Sequence, residues 1–392
     1  MSGKWSKLVY NAGGGKSLIN QNIFQVIRDS NFSFSHLSYY CSKLYALKNV
    51  PQNPEYHGEG DVYCHTELVC EKLLALSEWK ELTQEEQELL FLAGAFHDIG
   101  KIYCTRQEDG VWSSPKHTII GEKVFRQIAY KNVEQFGLTF QQREIIAKLI
   151  RYHGLPVWFW TKDRTEFDLL KVAESIPLRL LYLLSKADVT GRIAKNPDSL
   201  VEQVELFADY AQELDIWQKP FAFANPYTKY QYFHRESLWH KANLCDDTEF
   251  DVLLMSGLPL AGKDSWIEQN NTKLPVISLD EIREQLRLPP PKNSGKIAQI
   301  ATEQARNFLR KKESFVWNAT NLTEETRQRL INLFAGYGAR VHILYLEIPY
   351  QKLIARNQKR ARYIPEPVLE DMIKKLELPA SWEAYTVNFE IE

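Results

Sequence analysis

The stretch Phe250 to Trp266, FDVLLMSGLPLAGKDSW, decides how the C-terminal part of this chain is read. Its apolar run, Val252 to Met255, breaks at Gly257, and five residues later Gly262-Lys263 opens a helix. That is the spacing of a phosphate-binding loop set between a strand and a helix. Backbone N–H groups of such a turn point inward at an anion, and the helix N-terminus adds positive potential. Glycine lets the backbone approach without a Cβ clash, and Lys263 is placed to bridge terminal phosphates. Gly257, Ala261, Gly262, Lys263, Asp264 and Ser265 are therefore the expected nucleotide-binding residues. Asp264 stands where Ser or Thr normally ligates Mg²⁺, with Ser265 one place later, so either side chain is a candidate for the metal. An ordinary glycine turn is the competing explanation, and the apolar strand before the loop tells against it.

At 392 residues the chain exceeds what one core usually serves, which predicts two domains. Hydrophobic content of 44% and charged content of 25% are those of an ordinary soluble globular protein. A net charge of −2 gives no global attraction to nucleic acid, so any such contact has to come from local basic patches. The five cysteines, Cys41, Cys64, Cys70, Cys104 and Cys245, form no CxxC pair. With no signal peptide and no apolar run long enough to span a bilayer, the chain reads as cytoplasmic, with reduced thiols and no membrane partner. Near the start, Gly13-Gly14-Gly15-Lys16-Ser17 imitates a phosphate loop, but Tyr10 occupies the place of the leading glycine. It reads as a turn.

From Asp61 the pattern is helical, and histidines fall at informative places. His65 lies in DVYCHTELVCEKLLAL, where Val62, Val69, Leu73 and Leu76 recur at helical spacing. His97-Asp98 closes the apolar run LLFLAGAFHDIGK. His117 follows in KHTIIGEKV, His153 in LIRYHGLP, and Asp188 in LLYLLSKADVTGR. Singly, each is an ordinary packed or surface residue. Together, imidazole and carboxylate are the right ligands for a divalent metal or a metal pair. They sit at the polar ends of apolar helices, where inward-facing polar groups are costly without partners. A helix bundle gathers such groups onto one interior face.

This order of residues resembles the HD phosphohydrolase superfamily. The resemblance implies that His65, His97, Asp98 and Asp188 hold one metal, and that His117 and His153 complete a second site with Asp98 bridging. HDIGK and ADVTGR match the family's local words, which implies Lys101 and Arg192 as phosphate contacts. A bound divalent ion lowers the pKa of its water from about 15.7 to about 7 and neutralises phosphoryl charge. The implied reaction is phosphoester hydrolysis, and no Ser or Cys nucleophile is required.

Between Asn196 and Asp247 aromatics crowd the chain, with Pro220 and Pro226 expected to interrupt any helix. This reads as a packed connector in preference to a base-stacking platform, and Asp246-Asp247 marks the expected domain boundary. Beyond it, strand and helix alternate in the manner of an α/β fold with a parallel sheet. PVISLD (275–280), SFVWNATN (314–321) and Ala339 to Ile348 read as strands after the phosphate loop, and Pro289-Pro290-Pro291 as an exposed loop. Ile297, Ile300, Ala301, Ala305, Phe308 and Leu309 give an amphipathic helix. Strand exits carry Asp280, Arg283, Thr320 and Asn321 where a substrate sits, and Arg356 and Arg360 are four apart, as on one helix face.

The segment resembles the 5′-hydroxyl polynucleotide kinases through its phosphate loop, Leu279-Asp280-Glu281-Ile282-Arg283, Ala319-Thr320-Asn321 and Arg356-Asn357-Gln358-Lys359-Arg360. That match implies Asp280 as general base on a 5′-OH, Arg283 on the acceptor phosphate, and Arg356 and Arg360 as lid residues. Joined to the upstream helical region, the chain resembles the bacterial HD-domain polynucleotide kinases. The expected fold is thus an all-α HD helical bundle over residues 1–245, then an α/β P-loop kinase domain with a mainly parallel sheet over 246–392. The implied function is healing of nucleic-acid ends, RNA favoured over DNA: a 5′-OH kinase using ATP or another NTP with Mg²⁺, and a 2′,3′-cyclic or 3′ (2′) phosphatase using one or two divalent transition-metal ions. A ligase acting downstream is the implied partner. The alternatives are a kinase and phosphohydrolase of a small metabolite or mononucleotide, and a nucleotide- and metal-binding regulator.

Overall fold

Short polar residues mark where the helices of the first half begin. Asp61 accepts from Cys64 N to start Val62–Ala75, and capping boxes at Thr83/Glu86 and Thr139/Gln142 start Gln84–Phe96 and Phe140–Tyr152. The structure, a computed structural model, describes residues 22–161, 163–193, 197–270, 273–288, 293–360 and 363–392. The Gly13–Ser17 turn and the Pro289–Pro291 loop lie outside the described residues. Helices His117–Lys131 and Leu178–Thr190 complete the set around the site, and a small antiparallel ribbon pairs Arg106–Glu108 with Val111–Ser113. Gln84–Phe96 is the central helix. Every residue from Leu89 to Phe96 is buried, which suits a helix apolar on all sides. Gly100 permits a close approach: a Cβ there would lie 2.0 Å from His117 O. The Asp98 turn can thereby rest on the start of the His117 helix.

The connector differs from expectation at Pro226. Pro226–His234 is a helix with proline in its first turn, where no hydrogen bond is lost, and Asn225 caps it by accepting from Thr228 N. Tyr227, Tyr232 and Phe233 on this helix are buried.

The second half forms a five-stranded sheet from Phe250–Ser256 (β1), Val276–Ser278 (β2), Phe315–Asn318 (β3), Ala339–Glu347 (β4) and Thr386–Ile391 (β5). The order is β2-β3-β1-β4-β5, with every pair parallel. β1 is central, so its C-terminal end opens between β3 and β4, the usual ligand position of such sheets. Sequence patterning missed β5, whose residues are half-buried or exposed and lack the apolar run of the inner strands.

A ladder of buried charge joins the two halves. Arg126 pairs with Glu122 at 2.7 Å and Glu144 at 2.8 Å, and Arg143 reaches from Glu144 to Glu347 at the end of β4. The last contact is bidentate, at 2.8 and 3.0 Å, and Tyr345 Oη donates to the same carboxylate at 2.8 Å. Tyr130 Oη donates to Ile348 O at 2.9 Å, and Lys131 pairs with Glu370. Burial disfavours the Glu122 carboxylate, but Arg126 and Lys148 outweigh it and hold its pKa at about 2, against 4.5 for a free glutamate. Such a depressed carboxylate stabilises the fold fully above pH 4.5 and loses that contribution as the pH falls toward 2. Glu122→Gln should cost about 3 kcal/mol near neutrality and close to nothing at the acid end of that window. Urea unfolding of both proteins at stepped pH checks this; a difference that stays constant with pH would contradict it.

Candidate metal centre and phosphate-binding loop

His97 and His153 each follow the last residue of a helix that ends in the core. His97 Nδ1 donates to Gly94 O at 2.7 Å, and His153 Nδ1 to Ile150 O at 2.9 Å. His117 Nδ1 does the same toward Ser114 O at 2.9 Å. A carbonyl only accepts, so each Nδ1 carries a proton and each Nε2 is the atom left to face the site. His65 comes from the facing helix Val62–Ala75, with Nε2 3.0 Å from Asp188 Oδ1 and 3.4 Å from His97 Nε2. Asp98 closes the group: Oδ2 is 3.2 Å from His97 Nε2, and Oδ1 is 3.4 Å from His117 Nε2.

These atoms fall into two groups that share Asp98. His65, His97 and Asp98 form one, Asp98, His117 and His153 the other, with donor atoms within 4.8 Å of one another in each. All of them except His117 are buried, as is Asp188. Asp98 Oδ1 is buried with no hydrogen-bond partner, and two imidazole nitrogens face each other at 3.4 Å. A divalent cation would give Asp98 Oδ1 and the facing imidazole nitrogens a shared partner, and imidazole with carboxylate is the donor set it takes. Burial, then the neighbouring His97, pulls His153 down to about 3, so it is neutral as a ligand must be. Burial alone would raise Asp98 and Asp188, but Lys101 beside the first and Arg192 beside the second hold both well below the ordinary carboxylate range.

The second centre lies at the end of β1. Gly257 (φ +133°) passes so close to β4 that a Cβ would meet Leu346 O at 2.4 Å, and Gly262 (φ +102°) turns into the helix Lys263–Gln269. Gly257 N donates to Thr320 O at 2.9 Å. The buried Lys263 ammonium donates to Gly257 O at 3.1 Å and Leu258 O at 2.8 Å, inside the loop. Burial pulls it down to about 8, while Asp264 and Asp280 oppose that shift and Arg360 adds to it. Those three charges therefore act on one lysine. Arg356 Nη1 donates to Leu260 O at 3.0 Å, placing it on the loop.

Residues 62–190 match the family described as the HD domain, and residues 252–379 the one described as the AAA domain. The chain joins an HD domain to a P-loop, kinase-like domain. It is 22% identical over 271 residues to heterogeneous nuclear ribonucleoprotein U-like protein 2 of Homo sapiens, covering 63% of this chain and 34% of that protein. It is 23% identical over 141 residues to L-seryl-tRNA(Sec) kinase of Methanococcus maripaludis, covering 34% of this chain and 55% of that one. The chain thus spans about a third to about half of the length of these relatives. Among solved structures, a sugar kinase from Janibacter sp. HTCC2649 is similar at 17% identity and a TM-score of 0.30, covering 36% of this chain and 86% of that one. Among the described residues no helix is long and apolar enough to cross a membrane.

Several predicted side chains have partners that the sequence did not announce. Lys101 Nζ lies 2.7 Å from Asp98 Oδ2 and Arg192 Nη2 lies 2.5 Å from Asp188 Oδ2, so both cations meet carboxylates of the candidate metal centre. Arg360 is not on the face of Arg356: the helix ends at Lys359 and Arg360 is extended. The Asn357 side chain bonds Ile364 N at 2.9 Å and Ile364 O at 2.8 Å, tying the end of this helix to that residue. Asn321 is buried and bonds Met255 O at 2.7 Å, tying strand ends together in place of facing a substrate. Arg283 is half-buried, with Nη2 3.4 Å from Ser294 Oγ, and Asp280 and Ser265 are exposed. Asn318 was missed; its Nδ2 donates to Asp264 Oδ1 at 2.6 Å and orients that carboxylate.

Also missed was the loop before Asp61. Glu59 Oε1 lies 2.9 Å from His65 Nδ1 and 2.8 Å from His57 Nδ1, while Gln52 accepts from Lys101 at 2.7 Å. The words PQN and HGEGD just ahead of a ligand-bearing helix were the available signal. A carboxylate behind a ligating imidazole raises its basicity and holds the ring. Glu59→Gln should weaken divalent-ion binding about 10–100-fold, read by competition with a chelator. Chelator-stripped protein should also melt lower, because Glu59 pairs with His57 and accepts from Ile193 N without any ion. Unchanged ion affinity would assign Glu59 to the loop's structure alone.

Proposed function

We propose that this chain heals nucleic-acid ends, RNA in preference to DNA, with an HD-type phosphatase in residues 1–245 and a 5′-OH kinase in residues 246–392. The observation that carries the reading is a phosphate loop that buries Lys263 at the end of the central strand and meets Arg356 at Leu260 O, in a chain that separately gathers a candidate His/Asp metal centre. An acid at the exit of β2 beside the phosphate loop is where a base for an attacking hydroxyl belongs. The names of two relatives, a ribonucleoprotein-like protein and a tRNA kinase, are consistent with RNA.

In the kinase domain the loop N–H groups and Lys263 hold the NTP phosphates, with Mg²⁺ near Asp264 or Ser265. Asp280 takes the proton of the 5′-hydroxyl. The O5′–Pγ bond forms, the bond from Pγ to the β,γ-bridging oxygen breaks, and a nucleoside diphosphate leaves. Arg356 and Arg360 stabilise the charge on the transferring group. In the HD domain His65, His97, Asp98 and Asp188 would hold one ion, and Asp98, His117 and His153 a second. A divalent ion bound there supplies a nucleophilic hydroxide near neutral pH and neutralises phosphoryl charge. Lys101 and Arg192 keep the ligand carboxylates ionised and stand ready at the phosphate.

An oligonucleotide with a 5′-OH and a 2′,3′-cyclic phosphate, incubated with NTP and Mn²⁺, should emerge with a 5′-phosphate and free 2′- and 3′-hydroxyls. Lys263→Ala should abolish 5′ transfer and spare 3′ hydrolysis, and Asp98→Ala should do the reverse. Loss of both activities in either folded variant would overturn the two-centre assignment. Arg283→Ala separates a polynucleotide acceptor from a small one. The loss in kcat/KM should be about 1.5–3 kcal/mol on acceptors with a 3′-phosphate, the scale of a charged hydrogen bond, with little change on a free nucleoside.

A further inference from the structure

The rim of the HD centre carries more exposed tyrosine than its packing requires. Tyr39, Tyr45, Tyr56 and Tyr103 are 76%, 46%, 55% and 51% exposed. Three of them are linked through neighbours. Tyr39 and Tyr45, on the helices Phe34–Tyr40 and Ser42–Tyr45, have ring centroids 6.1 Å apart. From the same short helix Lys43 Nζ donates to Tyr103 Oη at 3.3 Å. Tyr103 shares the short helix Lys101–Cys104 with Lys101, which touches Asp98, so the backbone that carries this ring borders the metal centre. Tyr56 sits in the loop that sends Gln52 to Lys101 and His57 toward Glu59. Lys48 lies 4.6 Å from the centroids of Tyr45 and Tyr63, its charge kept at the surface of the cluster.

We propose that Tyr39, Lys43, Tyr45, Lys48, Tyr56 and Tyr103 form a track on which single-stranded nucleic acid lies with its phosphorylated 3′ end at the Asp98 centre; this rests on the polynucleotide reading above. Exposed rings stack bases of any sequence, and interleaved lysines meet the backbone. Local cations are needed because the net charge of −2 offers no general attraction. The short helix that carries Tyr103 borders a centre suited to phosphate, and a nucleic-acid end carries a phosphate where an unmodified peptide carries none. The track also explains why rings with apolar bodies stay in water on one side of the domain.

The test compares hydrolysis of a 3′-phosphorylated oligonucleotide with that of a nucleoside 3′-phosphate. Wild type should show the lower KM for the oligonucleotide. Tyr39→Ala with Tyr103→Ala should raise that KM about 5–100-fold, the range for lost base stacking, and leave the nucleoside KM in place. Tyr39→Phe with Tyr103→Phe keeps the rings and should restore the wild-type value. Lys43→Ala should make the salt dependence of oligonucleotide binding shallower by about 0.7 in log–log slope, one phosphate contact's worth. If wild type prefers the oligonucleotide and the alanine pair does not alter that preference, the track is wrong and the polynucleotide reading stands. If wild type treats both substrates alike, the polynucleotide reading fails and the track with it.

Discussion

An α-helix ends with carbonyls that have no partner inside the helix, and this protein uses that deficit to build its candidate metal centre. Gly94 O and Ile150 O, in the last turns of two core helices, are taken by the Nδ1–H groups of His97 and His153. One contact does three things. It satisfies a buried carbonyl, places a proton on Nδ1, and aims the other nitrogen at the neighbouring histidine. The same bond occurs at His234, whose Nδ1 lies 2.7 Å from Tyr230 O. There no carboxylate groups with the ring as a donor cluster among the described residues. Helix-end histidine is therefore a structural device, and it becomes a metal centre where several converge on a carboxylate such as Asp98.

Convergence requires that the helices keep their relative positions, and the charged ladder serves that purpose. The helix that begins at His117 and the one that ends beside His153 are locked together by Glu122, Arg126, Glu144 and Arg143. Replacing such a network with apolar residues is often tolerated, but removing one partner leaves an uncompensated charge. Arg143 carries the ladder onto Glu347, next to Leu346, the residue whose carbonyl requires glycine at 257. The phosphate loop and the metal centre are thus connected through this ladder, although each has its own chemistry.

Residue order and spacing revealed much of this. The apolar run into Gly257, the glycine pair at 257 and 262, and the helical period around His65 and Asp188 point to their elements because the elements impose those periods. His65, His97, Asp98, His117, His153 and Asp188 meet in the structure, although 123 residues separate the first from the last. What the sequence leaves open is direction. Nothing in the spacing of Arg356 and Arg360 shows that Asn357 will bind Ile364 and that the helix will end between them. Nothing in ATN shows that Asn321 turns inward to Met255. β5 escaped detection because an edge strand need not be apolar. Pro226 misled for a related reason, since one residue stops a helix or starts it according to the turn it occupies.

Glu59 shows where the boundary of legibility lies. A ligand announces itself through residue type and company, because few side chains bind metal. The group behind a ligand only has to accept a proton, and a carbonyl serves as well as a carboxylate. Three of the histidines here use carbonyls, which leave no mark on the sequence at all. His65 cannot use the carbonyls of its own helix's last turn, because it sits in the first turn of Val62–Ala75. A side chain has to come from outside, and the loop before the helix brings Glu59. The position of a histidine within its helix therefore decides whether its support is written in the sequence or hidden in the backbone.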